Sequence, residues 1–196
     1  MDFAYHYTAD QEAFRQEVRS WIEDQIPEGM PDPLDSKSMS KEVWLWVKEF
    51  RQALGEKGWL HPTYPKEYGG GGLSKEHETI LLEEFEHARV VRDFTNALVL
   101  PTLLVWGTEE QKQKWVPLLA SGKTLGAFGL TEPEAGSDVA NIQVTAIRDR
   151  DDYVVNGNKM FITNGEHGNA VALIVKTDPS ADPPQRGISC LIVEKP

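Results

Sequence analysis

Cysteine is nearly missing from this sequence: Cys190 is the only one in 196 residues, so no intrachain disulfide framework is possible. It lies in the apolar run Ile188-Ser189-Cys190-Leu191-Ile192-Val193, where a small buried core residue is expected and not a nucleophile. Positive charge is also scarce, with 20 Lys and Arg against 31 Asp and Glu and a formal net charge of −11. Nucleic acid and anionic membranes carry the same sign, which argues against broad electrostatic binding to either. Long hydrophobic runs are lacking too. The longest, Ala97 to Trp106, is short and interrupted by Pro101, so no membrane span is expected. The amino terminus, MDFAYHYTADQEAF, has neither the basic flank of a secretory signal nor the Arg-rich character of a transit peptide. A cytoplasmic protein is the expectation.

What is present suffices for a core: 40% of the residues are hydrophobic, enough for one domain or two small ones. The texture changes near residue 123. Before it, apolar residues recur at helical spacing, as in Phe14, Val18, Trp21 and Ile22, and again in Val43, Trp44, Val47, Phe50 and Leu54. The Pro- and Gly-rich loop GWLHPTYPKEYGGGG ends at Ser74, a good N-cap for a helix through Ile80, Leu81 and Phe85. Thr108-Glu109-Glu110 opens a further helix through Trp115, Leu118 and Leu119, and Pro101 is expected to kink or divide the apolar segment before it.

After Thr124 the pattern turns to short strands at 125–130, 142–148, 153–155, 159–163, 171–176 and 187–193. Asn156-Gly157 between two of them reads as a two-residue hairpin turn. Strands following helices indicate an α+β chain. The expected domains are an all-α domain over residues 1–122 and an antiparallel β-barrel or sandwich-like domain over 123–196, the latter expected to be incomplete or covered by a missing partner because the chain stops directly after a strand.

Several site motifs fail on their spacing. Ser121-Gly122-Lys123-Thr124 resembles the end of a P-loop, but Pro117 stands where that loop needs its first glycine. Gly69 to Gly72 does not complete a dinucleotide-binding glycine motif, because Ser74 holds the last position, and reads as a flexible loop. Glu84 and His87 form a single Glu-x-x-His, whereas a di-metal bundle needs two copies and further carboxylates. No metal site is expected.

Two stretches remain, FGLTEPEAGSD at 128–138 and KMFITNGEHG at 159–168. Taken singly, Thr131 and Thr163 suit a strand, Ser137 or Asp138 a cap, Phe161 a core and Gly136 a turn. In this order, Gly129-Leu130-Thr131-Glu132 followed by Ala135-Gly136-Ser137-Asp138 closely resembles the signature of the acyl-CoA dehydrogenase family of flavoproteins. The GWLHPTYPKEYGG segment, the helix start Gly107-Thr108-Glu109-Glu110-Gln111-Lys112, and Asn156-Gly157-Asn158-Lys159 leading to Phe161-Ile162-Thr163-Asn164-Gly165 extend the likeness through nearly the whole chain. Two positions depart from the family pattern. Asn141 replaces a small residue, and Phe161 replaces a Trp found in many members, which removes an indole N–H donor.

The resemblance implies FAD as cofactor. Phe128, Leu130 and Thr131 would line the flavin ring, with the Thr131 hydroxyl at its pyrimidine edge. Phe161 and Ile162 would cover the ring, Thr163 would reach the atom that accepts hydride, and Gly136 would allow close backbone approach. Ser137 would lie where motif, cofactor and acyl-CoA substrate meet. Glu132 and Asp138 are expected to fix the loop by hydrogen bonds. The implied reaction is α,β-desaturation of an acyl-CoA thioester, with electrons passed to an electron-transferring flavoprotein. Its carboxylate base is expected in a C-terminal helical bundle without a counterpart in these residues, so no catalytic residue is assigned here. The chain alone should be inactive and should bind FAD weakly or not at all. The full protein is expected to be a homo- or hetero-oligomer. Alternatives on the same scaffold are an acyl-CoA oxidase or flavin monooxygenase, or a non-catalytic structural subunit of a heteromeric dehydrogenase.

Overall fold

The structure, a computed structural model, describes residues 6–28, 40–90 and 96–195. Residues 1–5 of the amino-terminal stretch read above, and Pro196, lie outside the described residues. Among the described residues, helices α1 (Ala9–Gln25), α2 (Lys41–Glu56), α3 (Lys75–His87), α4 (Asn96–Trp106) and α5 (Glu109–Ala120) precede strands β1 (Gly126–Gly129), β2 (Thr145–Asp149), β3 (Asp152–Asn156), β4 (Ala170–Lys176) and β5 (Ile188–Glu194). They fall into two compact units, one within Met1–Asp93 and Gly107–Lys123, the other within Phe94–Trp106 and Thr124–Pro196. No described helix is long and apolar enough to cross a membrane.

In the first unit α1, α2, α3 and α5 each start on a hydroxyl cap. Ser40 and Ser74 accept from the third residue of α2 and α3, while Thr8 and Thr108 form full capping boxes with Gln11 and Gln111. The apolar stripes expected from the sequence then meet in one core of Val18, Ile22, Phe50, Leu54, Trp59, Leu81 and Phe85. Trp21 and Trp59 pack edge to face, with ring centres 5.3 Å apart. α2 also passes so close to the end of α5 that a β-carbon on Gly55 would stand 2.2 Å from the Ser121 carbonyl oxygen.

Glu84 is 3% exposed. Burial alone would raise its pKa, but hydrogen bonds from Arg19 and Arg15 outweigh that and hold the carboxyl below its ordinary range. Arg15 Nη1 donates to Glu84 at 2.8 Å, Arg19 Nε and Nη2 at 2.8 and 3.0 Å, and Arg15 Nη2 reaches Glu83 at 2.6 Å. The carboxylate of the Glu-x-x-His motif is therefore committed to joining α1 to α3, and no cluster of three or more potential metal ligands occurs among the described residues. The glycine tract is not the loose loop expected of it. Gly70, Gly71, Gly72 and Leu73 donate in turn to Pro65, His61, Tyr64 and Pro62 carbonyls, and a β-carbon on Gly70 would lie 2.4 Å from the Tyr64 oxygen.

In the second unit α4 runs unbroken through Pro101, contrary to the expected division, and packs against β1. The sheet is mixed, not purely antiparallel. β4 pairs antiparallel with β5 over its full length and, on its other edge, parallel with β1 and then with β2, while β2 and β3 form an antiparallel hairpin. The sheet is not closed into a barrel: β3 and β5 each have one described neighbour. Further sequence expectations fail here. The hairpin turn is Arg150-Asp151, not Asn156-Gly157, since Asp149 pairs with Asp152. Residues 159–163 form no strand, because Phe161 and then Asn164 take left-handed φ values of 55° and 61°, which break an extended ladder. Cys190 is exposed, not buried, since β5 is an edge strand and this residue faces away from the small cluster of Val144, Ala146 and Val175.

Candidate functional site

The site grows from the end of β1. Phe128 is half-buried in that strand, and the chain leaves the sheet at Leu130 and Thr131, both half-buried. A tight turn follows, in which Glu132 and Ala135 exchange backbone hydrogen bonds of 2.8 and 3.3 Å. Beyond it Gly136, Ser137 and Asp138 are exposed. A β-carbon on Gly136 would meet nothing within 4 Å, so packing within the chain does not call for glycine there.

Residues 159–168 run alongside, in the opposite direction, and are pinned at both ends. At one end Met160 N–H donates to the Thr131 carbonyl at 2.9 Å, and Lys159 Nζ donates to the Leu130 carbonyl at 2.9 Å and to Glu132 Oε1 at 2.7 Å. At the other end Asn164 Nδ2 donates to the Gly126 carbonyl at 3.3 Å. Lys195 Nζ holds the following turn through the Gly165 and Glu166 carbonyls at 3.0 and 2.5 Å. Phe161, Ile162 and Thr163 are thus carried beside Phe128, Leu130 and Thr131. Gly136 and Ser137 lie past the turn, and no described hydrogen bond ties them to residues 159–164.

Glu132 is the anchor of this arrangement. Its buried carboxylate takes Lys159 Nζ and the backbone N–H groups of Gln143 and Val144, the last at 3.0 Å. Burial would raise its pKa, yet the Lys159 ammonium and the two N–H donors keep it below the usual carboxylate range. The loop-fixing role expected of Glu132 is what the geometry contains. Asp138 contributes its backbone carbonyl to the Asn141 N–H at 3.2 Å.

Phe161 carries the opposite kind of signal. Its ring is 86% exposed, and its backbone holds a conformation that bulky residues rarely adopt, at a cost of about 1–3 kcal/mol. The strain holds a large apolar face towards solvent, where a ligand could cover it. Among the described residues, the hydroxyls of Thr131, Ser137 and Thr163 have no protein hydrogen-bond partner. One aromatic face and three uncommitted hydroxyls are what a planar ligand with polar edges would need. Sequence reasoning missed Lys159, Asn164 and Lys195 as the residues that hold these groups in place. Opposite charges on Glu132 and Lys159, one in each motif, were the available clue.

Comparison with known proteins agrees over nearly the whole chain. Residues 8–123 match the model of the acyl-CoA dehydrogenase N-terminal domain, and residues 127–196 that of the acyl-CoA dehydrogenase middle domain. Acyl-CoA dehydrogenase FadE26 of Mycobacterium tuberculosis is 39% identical over 190 residues, covering 95% of this chain and 48% of the relative. The ChsE4–ChsE5 complex from Mycobacterium tuberculosis superposes with a TM-score of 0.82 at 37% identity, covering 99% of this chain and 48% of that one. The Tcur3481–Tcur3483 steroid ACAD superposes with a TM-score of 0.84 at 34% identity, covering 99% and 49%. The chain thus spans about half the length of the relatives it matches. With a helical unit followed by an open sheet, both signature motifs in place and the two family models meeting near residue 125, the chain belongs to the acyl-CoA dehydrogenase family.

Proposed function

We propose that this chain provides the N-terminal and middle domains, divided at residues 122 and 123, of an FAD-dependent acyl-CoA dehydrogenase that desaturates acyl-CoA thioesters between the α and β carbons. The observation that carries this reading is the exposed, left-handed Phe161 beside Thr131 and Thr163, whose hydroxyls have no described partner. These groups fit a flavin: an apolar face for its ring, donors for its polar edge, and room for backbone approach at Gly136. When bound, FAD supplies a two-electron acceptor for hydride from the substrate's β carbon. The chain's own residues bind and orient. Phe161, Ile162, Phe128 and Leu130 would cover its apolar surface and exclude water, the Thr131 and Thr163 hydroxyls would donate to its polar edge, and Ser137 would contact both cofactor and thioester. Donors aimed where negative charge develops stabilise the reduced state.

No base is assigned within the chain. Glu132, the buried carboxylate of the motif, is held ionised by Lys159 and two backbone N–H groups, and is a poor proton acceptor for that reason. Electrons leave to an electron-transferring flavoprotein, and the working protein is an oligomer in the cytoplasm. A second reading, favoured by the likeness to a steroid ACAD and to a two-protein complex, is a heteromeric enzyme for bulky polycyclic acyl-CoA esters.

Titration of the isotope-labelled chain with FAD into the millimolar range, followed by amide NMR, tests the cofactor assignment. Shifts centred on Leu130, Thr131, Ser137, Phe161, Ile162 and Thr163 are expected even if affinity is low. Shifts centred elsewhere would remove the flavin assignment. Enoyl-CoA formed by the chain with FAD and acyl-CoA alone would contradict the assignment of the base outside it.

A further inference from the structure

We propose that Lys159 is a positioning residue of the cofactor site, whose ammonium fixes the Leu130–Thr131 peptide so that the Thr131 amide and hydroxyl face the flavin. The inference rests on the flavin reading above. Lys159 is not a surface lysine in a casual ion pair: its side chain is 9% exposed and that of its partner Glu132 is 2% exposed. A buried pair of this kind gives little net stability compared with apolar residues of the same shape, because both charges must be desolvated. What the pair supplies here is geometry.

The Lys159 ammonium makes two bonds that do different things. One, 2.7 Å to Glu132 Oε1, places the ammonium, because Glu132 is itself held by the Gln143 and Val144 amides at the entry to β2. The other, 2.9 Å to the Leu130 carbonyl, sets the plane of the next peptide. In a trans peptide the carbonyl and the following N–H point in opposite directions. Pinning the Leu130 carbonyl therefore aims the Thr131 N–H away from Lys159, and among the described residues that N–H has no acceptor. The next carbonyl, of Thr131, is held by Met160 N–H at 2.9 Å. Thr131 is consequently fixed on both sides by residues 159 and 160, next to Phe161 in the chain. A single ammonium thus sets the orientation of the donor residue and the start of the segment that carries the aromatic cover.

The test compares Lys159→Met, the double variant Lys159→Met with Glu132→Gln, and the parent chain. The single variant strands the Glu132 charge and is expected to melt earlier. The double variant removes both charges and is expected to regain most of the parent's melting temperature, which separates folding from positioning. If the inference holds, the refolded double variant still binds FAD about tenfold more weakly by NMR titration, equivalent to ~1.4 kcal/mol. Its FAD-induced shifts at Thr131 and Phe161 also shrink, while those at Ser137 persist. A double variant with parental affinity and shift pattern would overturn the positioning role and leave the flavin reading standing. FAD-induced shifts in the parent that centre away from Leu130, Thr131 and Phe161 would remove both.

Discussion

Replacing Glu84 with Gln isolates the charge that joins α1 to α3. The substitution keeps the shape and one acceptor oxygen but leaves Arg15 and Arg19 without the carboxylate they share. Removing one partner from a buried ion pair costs about 3–5 kcal/mol when the other charge has nowhere to turn. Here the cost is smaller, because Arg15 keeps Glu83 at 2.6 Å and Arg19 is 42% exposed and can hydrate. A loss of about 2 kcal/mol at neutral pH is expected, which lowers the melting temperature of a chain this size by about 4–8 °C. The pH dependence fixes the sign. Glu84 has a lowered pKa in the folded state, so the unfolded chain binds the proton more readily. Its contribution is complete above the ordinary carboxylate pKa of about 4.5 and fades as pH falls from there towards the lower folded value. The gap between parent and Glu84→Gln should therefore be widest at pH 7 and close in acid, as followed by circular dichroism during thermal unfolding. A variant that melts with the parent at pH 7, or a gap that widens in acid, would refute the reasoning.

Three further outcomes are expected. Gly55→Ala, whose β-carbon would stand 2.2 Å from the Ser121 carbonyl oxygen, should cost about 3 kcal/mol or more; coincident urea midpoints for parent and variant would contradict the close approach. Thr108→Ala removes the capping box of α5 and should cost about 1 kcal/mol, visible as a drop of about 2–4 °C in melting temperature. Phe161→Gly relieves the left-handed strain of about 1–3 kcal/mol against glycine's entropy cost of about 1 kcal/mol and deletes an exposed ring, so stability should not fall and should rise by up to about 2 kcal/mol. The same variant should lose the FAD-induced amide shifts at Thr131 and Thr163, and a stable variant that keeps them would show that the ring is not the cover.

The helical unit was legible because its signals are local. Hydroxyl caps at Ser74 and Thr108 and apolar stripes such as Val43, Val47, Phe50 and Leu54 read directly as helices, and they bury the faces they announce. The sheet was less so. Its parallel pairings of β4 with β1 and β2 join segments distant in the chain, and nothing within either segment states its partner. The run at 159–163 has the composition of a strand, yet its conformation is decided by the left-handed Phe161 and by bonds to residues 126–132. Asn156-Gly157 carries the stronger local turn signal, but the pairing of Ile147 with Val154 and Arg148 with Tyr153 puts the turn at Arg150-Asp151. The site residues came from a motif match. What holds them, the Glu132 and Lys159 pair, became visible only when the two motifs were laid side by side.

The unclosed sheet has a consequence for how the purified chain behaves in bulk. β3 is exposed along its entire length and, like β5, has a single neighbour among the described residues, so each offers a row of backbone donors and acceptors on which another molecule could extend a ladder. Mutual repulsion from a net charge of −11 opposes such encounters, and that repulsion shortens in range from about 10 Å at 0.1 M salt to about 3 Å at 1 M. Concentrated solutions should stay clear in dilute buffer and become increasingly turbid as sodium chloride is added.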